Sequence, residues 1–342
     1  MGEEARALRI LVTGGQGFLG GNLVRALVEL GFDNVAATAR RHAPELEELG
    51  VEVVKADLCD ADQAMKATKG RDLIFHTAAK AGVWGHYLSY YGINVDATRS
   101  LLEGASRHDV RYFVHTSSPS VTFEGESSHL KSESEATYPK DTLNSYCATK
   151  IESEKIVLER DWGMKVMALR PHLIYGPGDP HLLPRVYQAA ESGRLARVGN
   201  GLNRVDVTHI QDAVGSQLRA LANLDNPDAW GEAYFITSGY PIRLWSWIAH
   251  LLHWRGLPRV GRSLSVQRAY RLGAVLEKVY TKFADKEPPI TRFSALQLGC
   301  THTYSIEKAR QLLGFSPRVN PYDAFEDQFE SEVDWSCYSS VL

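Results

Sequence analysis

Residues 8–21 read "LRILVTGGQGFLGG", and the change of character along this stretch decides the fold. An apolar run ends at Thr13, glycines follow at 14, 17 and 20, and an amphipathic stretch continues to about residue 30. A strand feeding a glycine turn that opens a helix lets backbone N–H groups at the helix N-terminus meet a pyrophosphate. Side chains in that turn would fill the space the phosphates need. The spacing is Gly-x-x-Gly-x-x-Gly, so it is the strand-to-helix setting that points to a dinucleotide. Gly14, Gly17, Phe18, Leu19 and Gly20 are the candidate residues for the phosphates.

Working outward, short apolar runs alternate with longer amphipathic ones. "NVAATA" (34–39), "VEVVKAD" (51–57), "DLIFHTAA" (72–79), "RYFVHTSS" (111–118) and "KVMALRP" (165–171) read as strands. The stretches 60–69, 92–108 and 145–161 read as helices between them. Alternation of this kind gives βαβ units, a parallel sheet and helices on both faces, a doubly wound α/β fold. After "GPGDP" (176–180) the order loosens. "RVDVTHI" (204–210) and "EAYFITSG" (232–239) are strand-like around a helix near 211–223, and the remainder is mostly helical. The expected organisation is a dinucleotide-binding domain over 1–176 with a return segment at about 205–237. A smaller, mostly helical substrate lobe comes from 177–204 and 238–332, and 333–342 is a loose tail.

The chain has 342 residues, 44% of them hydrophobic and 23% charged, and a formal net charge of -3. Such a chain buries a large core, and without a basic excess it has no means of neutralising a nucleic-acid backbone. Its four cysteines are far apart in sequence, and the twelve histidines show no metal-ligand spacing, so neither a disulfide framework nor a metal site is expected. The first residues lack the features of a signal peptide, no apolar run is long enough to span a bilayer, and a cytoplasmic setting is expected. No Gly-x-Ser-x-Gly elbow marks a hydrolase.

Other residues fall at strand ends, where ligands sit in open α/β sheets. The second strand ends at Ala39, where an acid would favour an unphosphorylated ribose, and Arg40 and Arg41 follow. Arginine pairs with a phosphate, so NADP(H) is expected, with NAD(H) as the alternative. Asp57, with Leu58 beside it, is placed for the adenine. His76 and Ala78 end the fourth strand, where small residues leave room for a ribose, and Asn94 opens the next helix. "HTSSPSV" (115–121) ends the fifth strand. Within "NSYCATK" (144–150), Tyr146 and Lys150 share one helical face. An ammonium about 4 Å from a phenol contributes on the order of 4 kcal/mol at an effective dielectric of about 20, nearly three pKa units. That would bring the phenol toward working pH as a general acid–base.

Taken together, Gly14, Gly17, Gly20, Ser118, Tyr146 and Lys150 resemble the glycine loop and Ser…Tyr-x-x-x-Lys set of the extended short-chain dehydrogenase/reductases. Ser118 stands three residues before Val121, as the family's serine does. "LRPHLIYGPGDPHLLPR" (169–185) and "NRVDVTHIQDA" (203–213) resemble its 3β-hydroxysteroid dehydrogenase branch. "AAKAGVWG" (78–85) and "PPITRFSALQL" (288–298) are similar to the bacterial 2-alkyl-3-oxoalkanoate reductases. The resemblance implies hydride transfer between a nicotinamide cofactor and the 3-keto or 3-hydroxy carbon of a hydrophobic small molecule. It assigns Tyr146 as proton donor, Ser118 as hydrogen-bond donor to the same oxygen and Lys150 as the group on the ribose. The carboxamide would lie against Pro171, His172 and Leu173. It also implies a homodimer. Cys147 departs from the pattern, standing where proline is frequent.

A β-keto acid substrate needs a cation for its carboxylate, and Lys80, His172 and Arg185 are candidates. Segment 264–283, "LSVQRAYRLGAVLEKVYTKF", reads first as a core-facing helix, with a lid, a membrane-surface contact or a partner helix as alternatives. Rival readings are a 3β-hydroxysteroid or sterol-4α-carboxylate dehydrogenase and a nucleotide-sugar epimerase. A cofactor sensor without catalysis is disfavoured by the complete Ser–Tyr–Lys set.

Overall fold

A computed structural model describes residues 6–283, 286–323, 329 and 333–342. Seven strands form the main sheet: β1 (Ile10–Thr13), β2 (Val35–Ala39), β3 (Glu52–Lys55), β4 (Leu73–His76), β5 (Tyr112–Thr116), β6 (Lys165–Pro171) and β7 (Ala233–Ile236). Their order is β7-β6-β5-β4-β1-β2-β3, and every pair is parallel. The expected doubly wound fold is therefore present. The order reverses beside β1, between β2 and β4, and the carboxyl ends on either side of that switch frame a crevice.

Both faces of the sheet are buried because both are covered by helices, and successive residues of one strand serve different cores. Ile10 and Val12 of β1 face a core shared with helices α1 (Phe18–Glu29) and α4 (Ile210–Ala222). Leu11 faces the opposite core, which includes Leu101 and Leu102 of α2 (Ala97–Arg107) and Val157 of α3 (Ser145–Leu158). A separate core gathers Tyr175, Leu183, Val198, Trp245, Trp247 and Ile248.

A four-stranded sheet, ordered 242–243, 204–205, 302–304, 128–131, joins segments distant in sequence. The expected single strand over 204–210 divides. Arg204–Val205 belongs to this sheet, whereas Thr208–His209 pairs with Ile174–Tyr175. The break lies at the buried Asp206, whose carboxylate accepts the Tyr304 backbone N–H at 2.7 Å.

Two further expectations are corrected. Residues 333–342 are not loose, since Trp335 and Tyr338 are buried in the first core. The Tyr338 hydroxyl donates to the Gln211 carbonyl at 3.0 Å, over Gly215, where a Cβ would lie 2.3 Å from that oxygen. Helix α5 (Val266–Phe283) buries only Ala269, Gly273 and Glu277, and its larger apolar side chains are half-buried or exposed. Gly273 is required where the helix meets the start of α6 (Arg292–Gly299), since a Cβ there would sit 2.6 Å from the Thr291 carbonyl carbon.

Candidate active site

The glycine loop is built against the segment after β4. Gly14 has φ +70, and a Cβ there would lie 2.9 Å from Ala78 Cα. A Cβ on Gly20 would lie 2.3 Å from the Gly14 carbonyl oxygen, so α1 can approach the turn only with glycine there. Gly17 N-caps α1 without a side-chain bond, and no acid stands in the first turn. The N–H groups around Phe18 and Leu19 are thus left to an anion, and the cradle fits a dinucleotide's pyrophosphate.

Arg40 and Arg41 are exposed beyond β2, and among the described residues neither joins a salt bridge. Beyond the neighbouring β3, Asp57 is exposed and accepts the Cys59 N–H at 3.1 Å, with Leu58 buried beside it. His76 does not face the crevice. Its ring nitrogens lie 2.8 Å from the Thr13 hydroxyl and 2.9 Å from the Thr98 hydroxyl, which makes the side chain a buried strut behind Ala78. Asn94 sits in a π-helical turn, 92–96. Its side chain accepts the Lys80 N–H at 2.8 Å and donates to Thr149 of α3 at 3.0 Å, tying the post-β4 segment to the helix of Tyr146.

Beyond β5, Ser118 caps the turn Pro119–Thr122. Its oxygen accepts the Ser120 N–H at 3.2 Å and the Ser120 hydroxyl at 2.9 Å. Ser118 is also the hydroxyl that interacts with the Tyr146 phenol. Asn144 N-caps α3 by accepting the Cys147 N–H at 2.8 Å, which fixes where Tyr146 leaves the first turn. Burial pushes the Tyr146 phenol up to about 12, with the Ser118 hydrogen bond acting in the opposite direction.

Lys150 is placed differently from the simple picture of a phenol beside an ammonium. Its Nζ donates to the Thr116 carbonyl at 2.6 Å and lies 3.3 Å from His115 Nε2. Burial is the largest influence on the Tyr146 pKa and raises it. The expectation of a lysine-lowered phenol is corrected on this point. The physical reason is burial: an ammonium only 2% exposed seeks acceptors, and the end of β5 presents a carbonyl and an imidazole. Desolvation also brings the Lys150 ammonium down to about 8, against the attraction of Glu154 one turn along. His115 and Ser120 both stand in "HTSSPSV" (115–121), where Ser118 is preferred to Ser117 and Ser120 and His115 is given no role. The one available signal for His115 was a polar residue inside an otherwise apolar strand.

Around Tyr146 the walls are apolar: Val83, Phe123, Leu143, Phe293 and Leu296 form one cluster with it and Cys147. The last two come from α6, far along the chain. The Tyr90 ring meets that of Tyr146 edge-on at 6.5 Å, and the Lys80 ammonium lies 4.8 Å from the centre of the Tyr90 ring. Arg185 is paired with Glu287. His172 is buried, its Nε2 2.9 Å from His302 Nδ1, and burial holds it well below the usual imidazole range. Burial thus disfavours the charged form that a carboxylate's partner needs. Pro171 ends β6, and Leu173 adopts φ +44, a left-handed conformation rare for a branched side chain, where the chain leaves the sheet at the crevice. No group of His, Cys, Asp and Glu among the described residues is arranged to hold a metal.

Residues 11–266 match the model of the 3-beta hydroxysteroid dehydrogenase/isomerase family. The 2-alkyl-3-oxoalkanoate reductase of Stenotrophomonas maltophilia is 41% identical over 319 residues, covering 92% of this chain and 96% of that one. The enzyme of the same name from Shewanella oneidensis is 38% identical over 327 residues, covering 92% and 84%. Among solved structures, the UDP-glucuronic acid 4-epimerase of Bacillus cereus in complex with NAD shares the fold, with a TM-score of 0.71 at 24% identity over 94% of this chain and 97% of that one. The chain thus belongs to the 3-beta hydroxysteroid dehydrogenase/isomerase family and is a nicotinamide-dependent oxidoreductase.

Proposed function

We propose that the protein uses NADPH to reduce the ketone of a hydrophobic 2-alkyl-3-oxo acid to the 3-hydroxy acid. The observation that carries this reading is the hydroxyl pair Ser118–Tyr146 set against apolar walls at the carboxyl edge of the sheet. The names of two similar relatives support the substrate class.

In this reading Gly14, Gly17, Phe18, Leu19 and Gly20 hold the pyrophosphate. Asp57 and Leu58 border the adenine, and backbone near His76 and Ala78 borders the ribose. Lys150 holds the nicotinamide ribose, and Pro171 and Leu173 flank the carboxamide. Arg40 pairs with the 2′-phosphate. The bound nicotinamide supplies the hydride.

The chain's own residues manage the oxygen. Ser118, polarised by Ser120, donates to the carbonyl oxygen and stabilises the charge that develops there. Tyr146 then donates its proton to the same oxygen. A phenol held near 12 keeps its proton at neutral pH, and an alkoxide is a stronger base than a phenolate, so transfer runs toward the product. Lys80, with no carboxylate partner among the described residues and one aromatic ring removed from Tyr146, holds the substrate carboxylate. The smaller lobe built from 177–204 and 238–332 closes over the alkyl chain, with α6 supplying Phe293 and Leu296.

One assay tests the reading: oxidation of NADPH and of NADH with a 2-alkyl-3-keto acid beside a 3-ketosteroid. Expected are turnover of the keto acid, loss of turnover in Tyr146→Phe with NADPH binding retained, and a narrowed NADPH preference in Arg40→Ala. Turnover of the steroid alone would move the substrate to the ring class. An active Tyr146→Phe would remove Tyr146 as the donor.

A further inference from the structure

Helix α5 presents to solvent a surface that its own fold does not use. Leu272, Val275, Val279 and Phe283 recur every three or four residues on one side and are 44%, 59%, 44% and 81% exposed. Arg268, Arg271, Lys278 and Lys282 are exposed beside them. The helix has one acid, Glu277, and it is turned inward, where its two oxygens accept the Arg292 backbone N–H and Nε, each at 2.6 Å. The outer face therefore combines four large apolar side chains with four cations and no carboxylate.

We propose that α5 seats the protein on an anionic lipid surface. The charge pattern selects that occupant over a second copy of this chain, because two such faces would set cations against cations. An anionic bilayer takes both components, the apolar side chains entering the acyl boundary while arginine and lysine meet headgroups. No helix among the described residues is long and apolar enough to cross a membrane, so the contact lies along the surface. Its position also links the surface to the interior. A cavity of about 430 Å3 lies between α5 and Trp84, lined by Tyr270, Lys278, Thr281 and Arg292 among others. The Trp84 carbonyl accepts the Tyr90 hydroxyl at 2.9 Å, and Tyr90 is the ring that meets Tyr146. A hydrophobic molecule leaving the lipid at α5 would arrive next to the site. The membrane contact itself does not depend on which ketone is reduced.

The experiment is co-sedimentation of the full chain with phosphatidylcholine vesicles, with and without phosphatidylserine. Two double variants accompany it, Val275→Asp with Val279→Asp and Arg271→Ser with Lys282→Ser, all at exposed positions. Each should keep its melting temperature and its NADPH affinity. Expected is sedimentation with the anionic vesicles only, weakened about tenfold or more in either variant. Absence of sedimentation, or equal sedimentation by the variants, overturns the proposal. Self-association that the aspartates dissolve, without vesicle binding, also overturns it and makes this face an interface between copies.

Discussion

Lys150 sits 2% exposed with its ammonium on a main-chain carbonyl, and its acidity is set first by desolvation. Its folded value of about 8 lies below the ordinary 10.5. Below pH 8 both folded and unfolded chains carry the charge, and the cost of burying it is paid in full. Between 8 and 10.5 the folded chain binds fewer protons than the unfolded one, so this residue's contribution to stability rises with pH. Against Lys150→Met, which has no proton to lose, the wild type should gain up to about 3 kcal/mol over that interval. Urea unfolding of both proteins at pH 7 and pH 10 measures the difference, and comparison with the variant cancels the other groups that titrate there. An unchanged difference would mean that the ammonium is not desolvated. The spacing of Tyr146 and Lys150 on one turn was legible in the sequence. The lysine's partners were not, because Thr116 and His115 reach it only when β5 and α3 are packed together.

At the scale of elements, α3 was readable from its scarcity of breakers, although its apolar residues form no single stripe. The reason is that its buried side is largely polar. Thr149, Lys150, Ser153 and Glu154 are all buried, and Glu154 binds Arg170 of β6 through contacts of 3.0 and 2.5 Å while accepting the Tyr138 hydroxyl at 2.8 Å. A bidentate pair of this kind fixes the angle between helix and strand, and with it the place of Tyr146 relative to the end of β6. Removing one member leaves the other charged and unpartnered. Glu154→Ala should therefore destabilise the protein by about 3–5 kcal/mol, and Glu154→Leu combined with Arg170→Met should recover part of that loss. Denaturant midpoints of the three proteins decide it, and a single variant within error of wild type would exclude the pair as a structural clamp. Helix α5 teaches the converse. Its apolar spacing is that of a core helix, yet the buried positions are Ala269, Gly273 and Glu277, and Leu272, Val275, Val279 and Phe283 turn outward. Spacing gave the amphipathic helix but not the face that packs.

Over the whole molecule, the parallel sheet and its switch point followed from local alternation, whereas the short strands that hold the second core to it did not. Pairs such as Arg204–Val205 and His302–Tyr304 are too brief to show a period, and their partners lie far apart in sequence. What holds this junction is Asp206, fully buried in the bend between 204–205 and 208–209, with one carboxylate oxygen on the Tyr304 N–H and the other without a partner. Burial raises its carboxyl to about 7, the Tyr304 hydrogen bond opposing. The stabilisation of the protonated form is complete below the ordinary value of 3.8 and is lost as pH rises through 7. Asp206→Asn keeps the shape and the acceptor while removing the titration. Relative to this variant, the wild type should lose up to about 3 kcal/mol between pH 5 and pH 8. Because the bend runs from Val205 in one core to Ile210 in another, Trp245 in the first and Trp230 in the second should report the same midpoint at each pH. Two midpoints would mean that the junction does not couple the cores, and a wild-type-minus-variant difference that is flat over this range would mean that Asp206 is ionised throughout.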